Sequence, residues 1–168
     1  MSSIIRADRW QDSNGVAYNS VLQVVSTTKT DTFSTTSTSF TDVTGLSVTI
    51  TPKFSTSKIL VFADCKTGNA NGQPASLRIV RDSTAIYVGD TAGNRILCFF
   101  GGDGAGVNSL YQGSAVFLDS PGTASATTYK IQMVVSAGTQ YLNRTATDTD
   151  STAFRRTASS ITVMEIAQ

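Results

Sequence analysis

From Val21 to Cys65 the chain repeats one device: short runs in which apolar and polar residues alternate, separated by clusters of Ser and Thr, with no stretch of helical period. Between Gly45 and Pro52, Leu46, Val48 and Ile50 fall at every second position with Ser47, Thr49 and Thr51 between them. That is the pattern of a strand with one face buried and the other in water, and Pro52 ends it. Ser57 to Lys66 alternates less cleanly. Ile59, Val61 and Ala63 face one way while Leu60 and Phe62 face the other, so this segment reads as a strand covered on both faces and central in its sheet.

The same reading continues to the C-terminus. Residues 21 to 34 open the series, and Ala75 to Val88 reads as a hairpin, SLRIVR and AIYVG joined at Asp82, Ser83 and Thr84. Arg95 to Phe100 reads as a strand before the Gly-rich turn Gly101 to Gly106, and Ser109 to Asp119 as the next, bounded by Ser120, Pro121 and Gly122. Tyr129 to Ser136 and Ser160 to Ile166 are strong strands, with a short one at Tyr141 to Thr145 between them. Eight or nine strands at this spacing predict an all-β fold, an antiparallel β-sandwich of jelly-roll type.

The first twenty residues differ. Ile5, Ala7 and Trp10 precede Asn14-Gly15, a strong two-residue hairpin signal, and Val16 to Tyr18 can pair back. Residues 1–20 therefore read as an N-terminal arm or hairpin and 21–168 as the sandwich domain. An isolated hairpin is marginal in water, so the arm needs a surface, its own sandwich or a partner. The plainer alternative makes it the first strand of the sandwich.

Length, charge and composition narrow the function. A chain of 168 residues with 40% hydrophobic content supports one sizeable core. A net charge of +1, without a basic run or stripe, argues against a nucleic-acid partner. The apolar runs are a few residues long, far below the ~20 that span a bilayer, so no membrane partner is expected. No charged, apolar-cored leader precedes the first strand, which predicts synthesis in a cytoplasm. Cys65 and Cys98 each lie in an apolar run, FADCK and RILCFF, where a thiol serves as a small hydrophobe; a cross-strand disulfide is the alternative.

Catalytic candidates are sparse. The chain has no histidine, so no Ser-His-Asp or Cys-His system can be assembled. A glycosidase needs two carboxyl groups across a sugar, and the single glutamate, Glu165, lies in the last strand, where an edge or salt-bridge role is the simpler reading. Asp148 and Asp150 are closely spaced, but calcium takes six or more oxygens and no glycine-containing loop completes such a site. GGDGAG lacks the Lys-Ser/Thr and the helix of a phosphate loop. Asn143-Arg144-Thr145 fits a glycosylation sequon that a cytoplasmic product would not use. The residues thus predict no enzyme, no cofactor and no metal.

In a fixed order come VLQVVSTTKTDTFSTTSTSFTDVTGLSVTITP, SKILVFAD, LRIVRDSTAIYVGD, FLDSPGTASATTYKIQM, NRTATDTD and RTASSITVMEIAQ. This series, over about residues 20 to 168, resembles virion surface proteins of tailed bacteriophages, above all those of marine and freshwater phages including cyanophages. SIIRADRWQDSNG looks like an N-terminal tag of particle-attached phage proteins. The resemblance implies a homotrimer similar to capsid decoration (cement) proteins, with the major capsid protein as partner and a place on the outer capsid surface. It also implies an alternative: the knob of a tail fibre or tailspike, contacting host surface glycan through loops such as Gly68 to Pro74 and Gly101 to Asn108. The chain has neither heptads nor a solenoid repeat to serve as a shaft, which favours decoration. Candidate arm contacts are Ile5 and Trp10. Candidate trimer contacts are Phe99, Phe100, Tyr111 and Phe117, with the strand of Met133, since aromatics and Met are enriched in interface cores. The run Ile96 to Phe100 puts apolar groups on both strand faces, covered either within the domain or by a neighbouring subunit.

Overall fold

A computed structural model describes residues 20–70, 74–102, 106 and 108–168. Among them it has eleven strands in two antiparallel sheets and no helix: β1 (Val21–Lys29), β2 (Phe33–Thr35), β3 (Thr41–Ile50), β4 (Lys58–Asn69), β5 (Ala75–Arg81), β6 (Thr84–Ile86), β7 (Phe100–Gly102), β8 (Tyr111–Asp119), β9 (Thr127–Val135), β10 (Gln140–Leu142) and β11 (Ser159–Ile166). β4, at 12 residues, organises the first sheet. One of its edges pairs with β11 along Lys58–Asp64 and with β10 along Thr67–Asn69, and its other edge pairs with β8. β1 lies outside β11, and β2 outside β10. The second sheet runs β3-β9-β5, and the far edge of β5 is shared by β6 and β7. The long strands therefore read β1-β11-β4-β8 facing β3-β9-β5 with its β6/β7 edge, the wound arrangement of a jelly roll.

Alternation fills the space between the sheets. Ile59, Val61 and Ala63 of β4, Ile161 and Val163 of β11, and Tyr129, Ile131 and Met133 of β9 are all buried there. β3 contributes Val43, Leu46, Val48 and Ile50. The step of three from Val43 to Leu46 breaks the period of two, and a bulge restores the phase: the pairing with β9 slips between Asp42 and Ser47, and Gly45 sits there at φ +80°. One link ties the sheets at their rim. Arg81 of β5 donates to both Asp119 oxygens of β8, at 2.7 and 2.8 Å, and the hydroxyl of buried Tyr129 donates to the same carboxylate at 2.7 Å. Burial and Asp119 together push the Tyr129 phenol well above its ordinary value.

Several expectations change. Residues 21–34 form two strands, since the chain leaves β1 after Lys29 and Phe33–Thr35 pairs with β10. Arg95 to Phe100 is not a strand. The edge of β5 holds seven residues and β6 occupies Ile79–Arg81, so an incoming chain can pair only from Leu77 onward; the Phe99 N–H bonds the Leu77 carbonyl and β7 starts at Phe100. The count among the described residues is eleven because three-residue strands such as β2 and β7 are too short to show a period. The hairpin at residues 82–84 forms as predicted, with Asp82 at φ 53° and its carboxylate capping the Thr128 N–H at 2.9 Å. β4 is central, as expected. Its outer face, however, is not covered by the described part of the chain: Leu60 and Phe62 remain half-exposed. The arm, with Ile5, Trp10 and Asn14-Gly15, lies outside the described residues.

Candidate interaction surface

Glu165 occupies neither an edge nor a salt bridge. β11 lies between β1 and β4, and the Glu165 side chain is fully buried. Its carboxylate accepts hydrogen bonds from Gln23 Nε2 at 2.6 Å, the Lys53 N–H at 2.7 Å and the Phe54 N–H at 3.4 Å. Burial favours the protonated acid, but these donors outweigh it and hold the pKa below its ordinary value. The carboxylate thus staples the β3–β4 connection onto β1 and β11. It has no second carboxylate beside it in these bonds and serves as a structural anion.

The segment between β10 and β11 is polar and built around itself. Asn143, at φ 63° and fully buried, donates through Nδ2 to the Lys29 and Asp31 carbonyls at 2.8 and 3.0 Å and accepts from Ser159 Oγ at 2.6 Å. Its amide is therefore enclosed and the sequon is inaccessible in the folded chain. Asp148 is held by the Arg156 guanidinium at 2.9 and 2.5 Å, with Arg144 at 3.4 Å, so both its oxygens are engaged. Among the described residues no group of three or more acidic, Cys or His side chains is placed to hold a metal. A cavity of about 290 Å³ opens here, lined by Asp150, Phe154 and Arg155 among others. Gly101 and Gly102 of the glycine-rich turn belong to β7; part of that turn, and residues 71–73 of the other proposed loop, lie outside the described residues.

The aromatic candidates gather where the two sheets meet at β7 and β8. Phe99, Phe100 and Phe117 are half-buried against the core. Phe100 packs over Gly113, where a Cβ would come within 2.6 Å of its ring carbon, and Phe117 stacks on Tyr87 with centroids 4.4 Å apart and planes 7° from parallel. Tyr111 shares the inward parity of Gly113, Ala115 and Phe117 along β8. Met133 is wholly buried in the core. Cys65 is buried and free, its thiol pushed up to about 12 by burial and by Asp64; Cys98 is free and half-buried, outside any strand.

The outer faces of the two sheets differ sharply. The second carries a polar network: Lys130 and Gln132 bond Asp42 at 2.7 and 2.6 Å, Arg78 bonds Gln132 at 2.7 Å and lies over the Phe40 ring, and Thr49 meets Thr128. On the first, the pairing aligns Val24, Met164, Leu60 and Leu118 across four strands, and beside them Phe62 and Val116. Val24, Val116 and Leu118 are 53%, 57% and 53% exposed. Ser26 and Thr162, bonded at 2.6 Å, share the row of Phe62 and Val116, and Asp64 of the next row pairs with Lys66, so the face grades from apolar at one end to polar at the other. Aromatic content did not single out these residues. The signal in the sequence was the two-faced run of β4.

No protein-family model matches the sequence, and no curated protein does. Solved structures do match. A chain of VP2 from a subviral particle of infectious bursal disease virus aligns at a TM-score of 0.50 and 12% identity, over 96% of this chain and 37% of that one. A structure of the Gx strain of the same virus aligns at 0.48 and 12%, over 96% and 44%. The chain thus spans less than half the length of these matches. At this identity the likeness defines the fold, a jelly-roll sandwich, and leaves function to be argued from surfaces.

Proposed function

We propose that the chain is a structural protein of a virus particle: a homotrimeric decoration protein on the outer capsid surface of a tailed bacteriophage, seated on the major capsid protein. The observation that carries this reading is a jelly roll, similar in fold to the VP2 chain of a subviral particle, on a sequence whose ordered motifs resemble phage virion surface proteins. The site chemistry agrees with a non-enzymatic role, since Glu165 and Asp148 are both committed to structural bonds. Attachment by a trimer works through multivalency, three modest contacts adding to a durable one while geometry matches the shell.

One observation favours a second reading, a knob that contacts host surface glycan. The segment around Asp148–Arg156 is held by its own ion pairs and presents Phe154, Arg155 and Asp150 around a cavity, an aromatic and charged set on a rigid scaffold. Immunogold electron microscopy of intact virions with antibody to this chain separates the two. Label over the head is expected for decoration, label confined to the tail for the knob, and unlabelled virions refute both.

A further inference from the structure

We infer that the outer face of β1-β11-β4-β8 is where copies of this chain meet, each burying Val24, Leu60, Phe62, Val116, Leu118 and Met164 against its neighbours. The inference deepens the proposed assembly and rests on it only for the number of copies. The sandwich provides its own control. Both sheets alternate in the same way, yet the second carries the bonded polar set Asp42, Arg78, Lys130 and Gln132 on its outer face, with the apolar Val80 and Val134 of the same parity buried, while the first presents six adjacent apolar side chains, three of them more than half exposed. Antiparallel sheets that face water on one side place polar residues there. The first sheet departs from that rule where its central strand has apolar groups on both faces.

Charge and size indicate the occupant. No charged side chain lies among these six residues: Asp64, in the next row, pairs with Lys66, and the Lys58 ammonium at the rim donates to the neutral Ser120 Oγ at 2.7 Å. Neither a nucleic acid nor an acidic lipid surface finds a counterpart there, whereas a second copy meets it without like-charge repulsion. Six side chains in two outward rows, each over ~4.8 Å by ~6.8 Å of sheet, cover roughly 200 Å². That is about a quarter of the ~800 Å² each partner buries in a stable interface, the apolar core of a contact whose rim takes in the polar row Thr28, Ser160, Asp64 and Ser114 of the same face. Three copies turning these faces to a common axis would bury them jointly.

The test is the solution mass of the full chain by light scattering, with Val116→Glu/Leu118→Glu and Thr49→Glu as variants. The wild type and Thr49→Glu, which alters the opposite sheet, should have the mass of three chains. The double variant should fall to one chain with an unchanged circular dichroism spectrum. If the double variant does not fold, peroxide oxidation of Met164 in the wild type decides: protection that is lost on dilution to single chains supports the interface. A wild type that is a single chain at all concentrations overturns the inference, as does an assembly that survives the double substitution. Deletion of residues 1–19 that exposes Met164 in a single-chain protein would assign the face to the chain's own N-terminal segment, and also overturns it. Virions labelled with antibody while the soluble protein is monomeric would refute this inference and leave the particle role standing.

Discussion

Replacing Glu165 tests how the strand connection at residues 51–57 is held. In the Glu165→Ala variant the Lys53 and Phe54 N–H groups and the Gln23 amide lose their shared acceptor. A hydrogen bond to a charged group contributes ~1.5–3 kcal/mol when buried; Lys53 and Phe54 are solvent-exposed residues and recover part of their loss from water, so the total cost should be about 3 kcal/mol. At 2–4 °C per kcal/mol for a chain of this size, the melting temperature should fall by roughly 6–12 °C. Glu165→Gln keeps an acceptor of the same shape and should cost only about 1 kcal/mol. The pH dependence separates charge from packing. The folded pKa of Glu165 lies below its ordinary 4.5, so its stabilisation is fully present above that value and is lost as pH falls through the lower folded value. Calorimetric melts from pH 7 to pH 3 should therefore show a shallower acid loss for Glu165→Gln than for the wild type. Parallel acid limbs, or an alanine variant as stable as the wild type, would refute the role of the carboxylate as an anionic staple.

Three further substitutions or probes follow from single contacts. Gly68→Ala places a Cβ within 2.4 Å of the Arg144 carbonyl oxygen and 3.2 Å of Thr145 Cα; because these are backbone atoms, the cost should be ~1–3 kcal/mol by urea unfolding. Asp119→Ala strips the acceptor from Arg81 and from the buried Tyr129 hydroxyl, and should destabilise by ~2–4 kcal/mol, more than Tyr129→Phe, which leaves the ion pair intact. With its thiol pushed up to about 12 by burial and by Asp64, Cys65 should resist a disulfide reagent at pH 8 in the native protein while Cys98 reacts; equal rates would contradict the buried placement.

The strands with clean alternation were legible because period and burial coincide. Leu46, Val48 and Ile50 face the core as their spacing predicts, and so do Tyr129, Ile131 and Met133. The run from Ile96 to Phe100 misled because consecutive apolar residues carry no facial information, and its pairing is decided by how much of the β5 edge remains open. Glu165 and Asn143 were unreadable for another reason. Their partners are backbone groups of Lys53, Phe54, Lys29 and Asp31, over a hundred positions away, and no residue type marks such a bond in the sequence. The apolar outer face was half-legible. Leu60 and Phe62 announced a strand with two buried faces, but only the pairing of β4 with β8 and β11 shows that Val116, Leu118 and Met164 extend that face into a patch.

The central claim is that this jelly roll is a component of the particle surface, and quantitative mass spectrometry of gradient-purified virions tests it most directly. A decoration protein should be present in fixed proportion to the major capsid protein, and should be removed by conditions that strip the outer surface while the shell stays intact. Absence from purified virions, or a trace amount varying between preparations, would contradict the account.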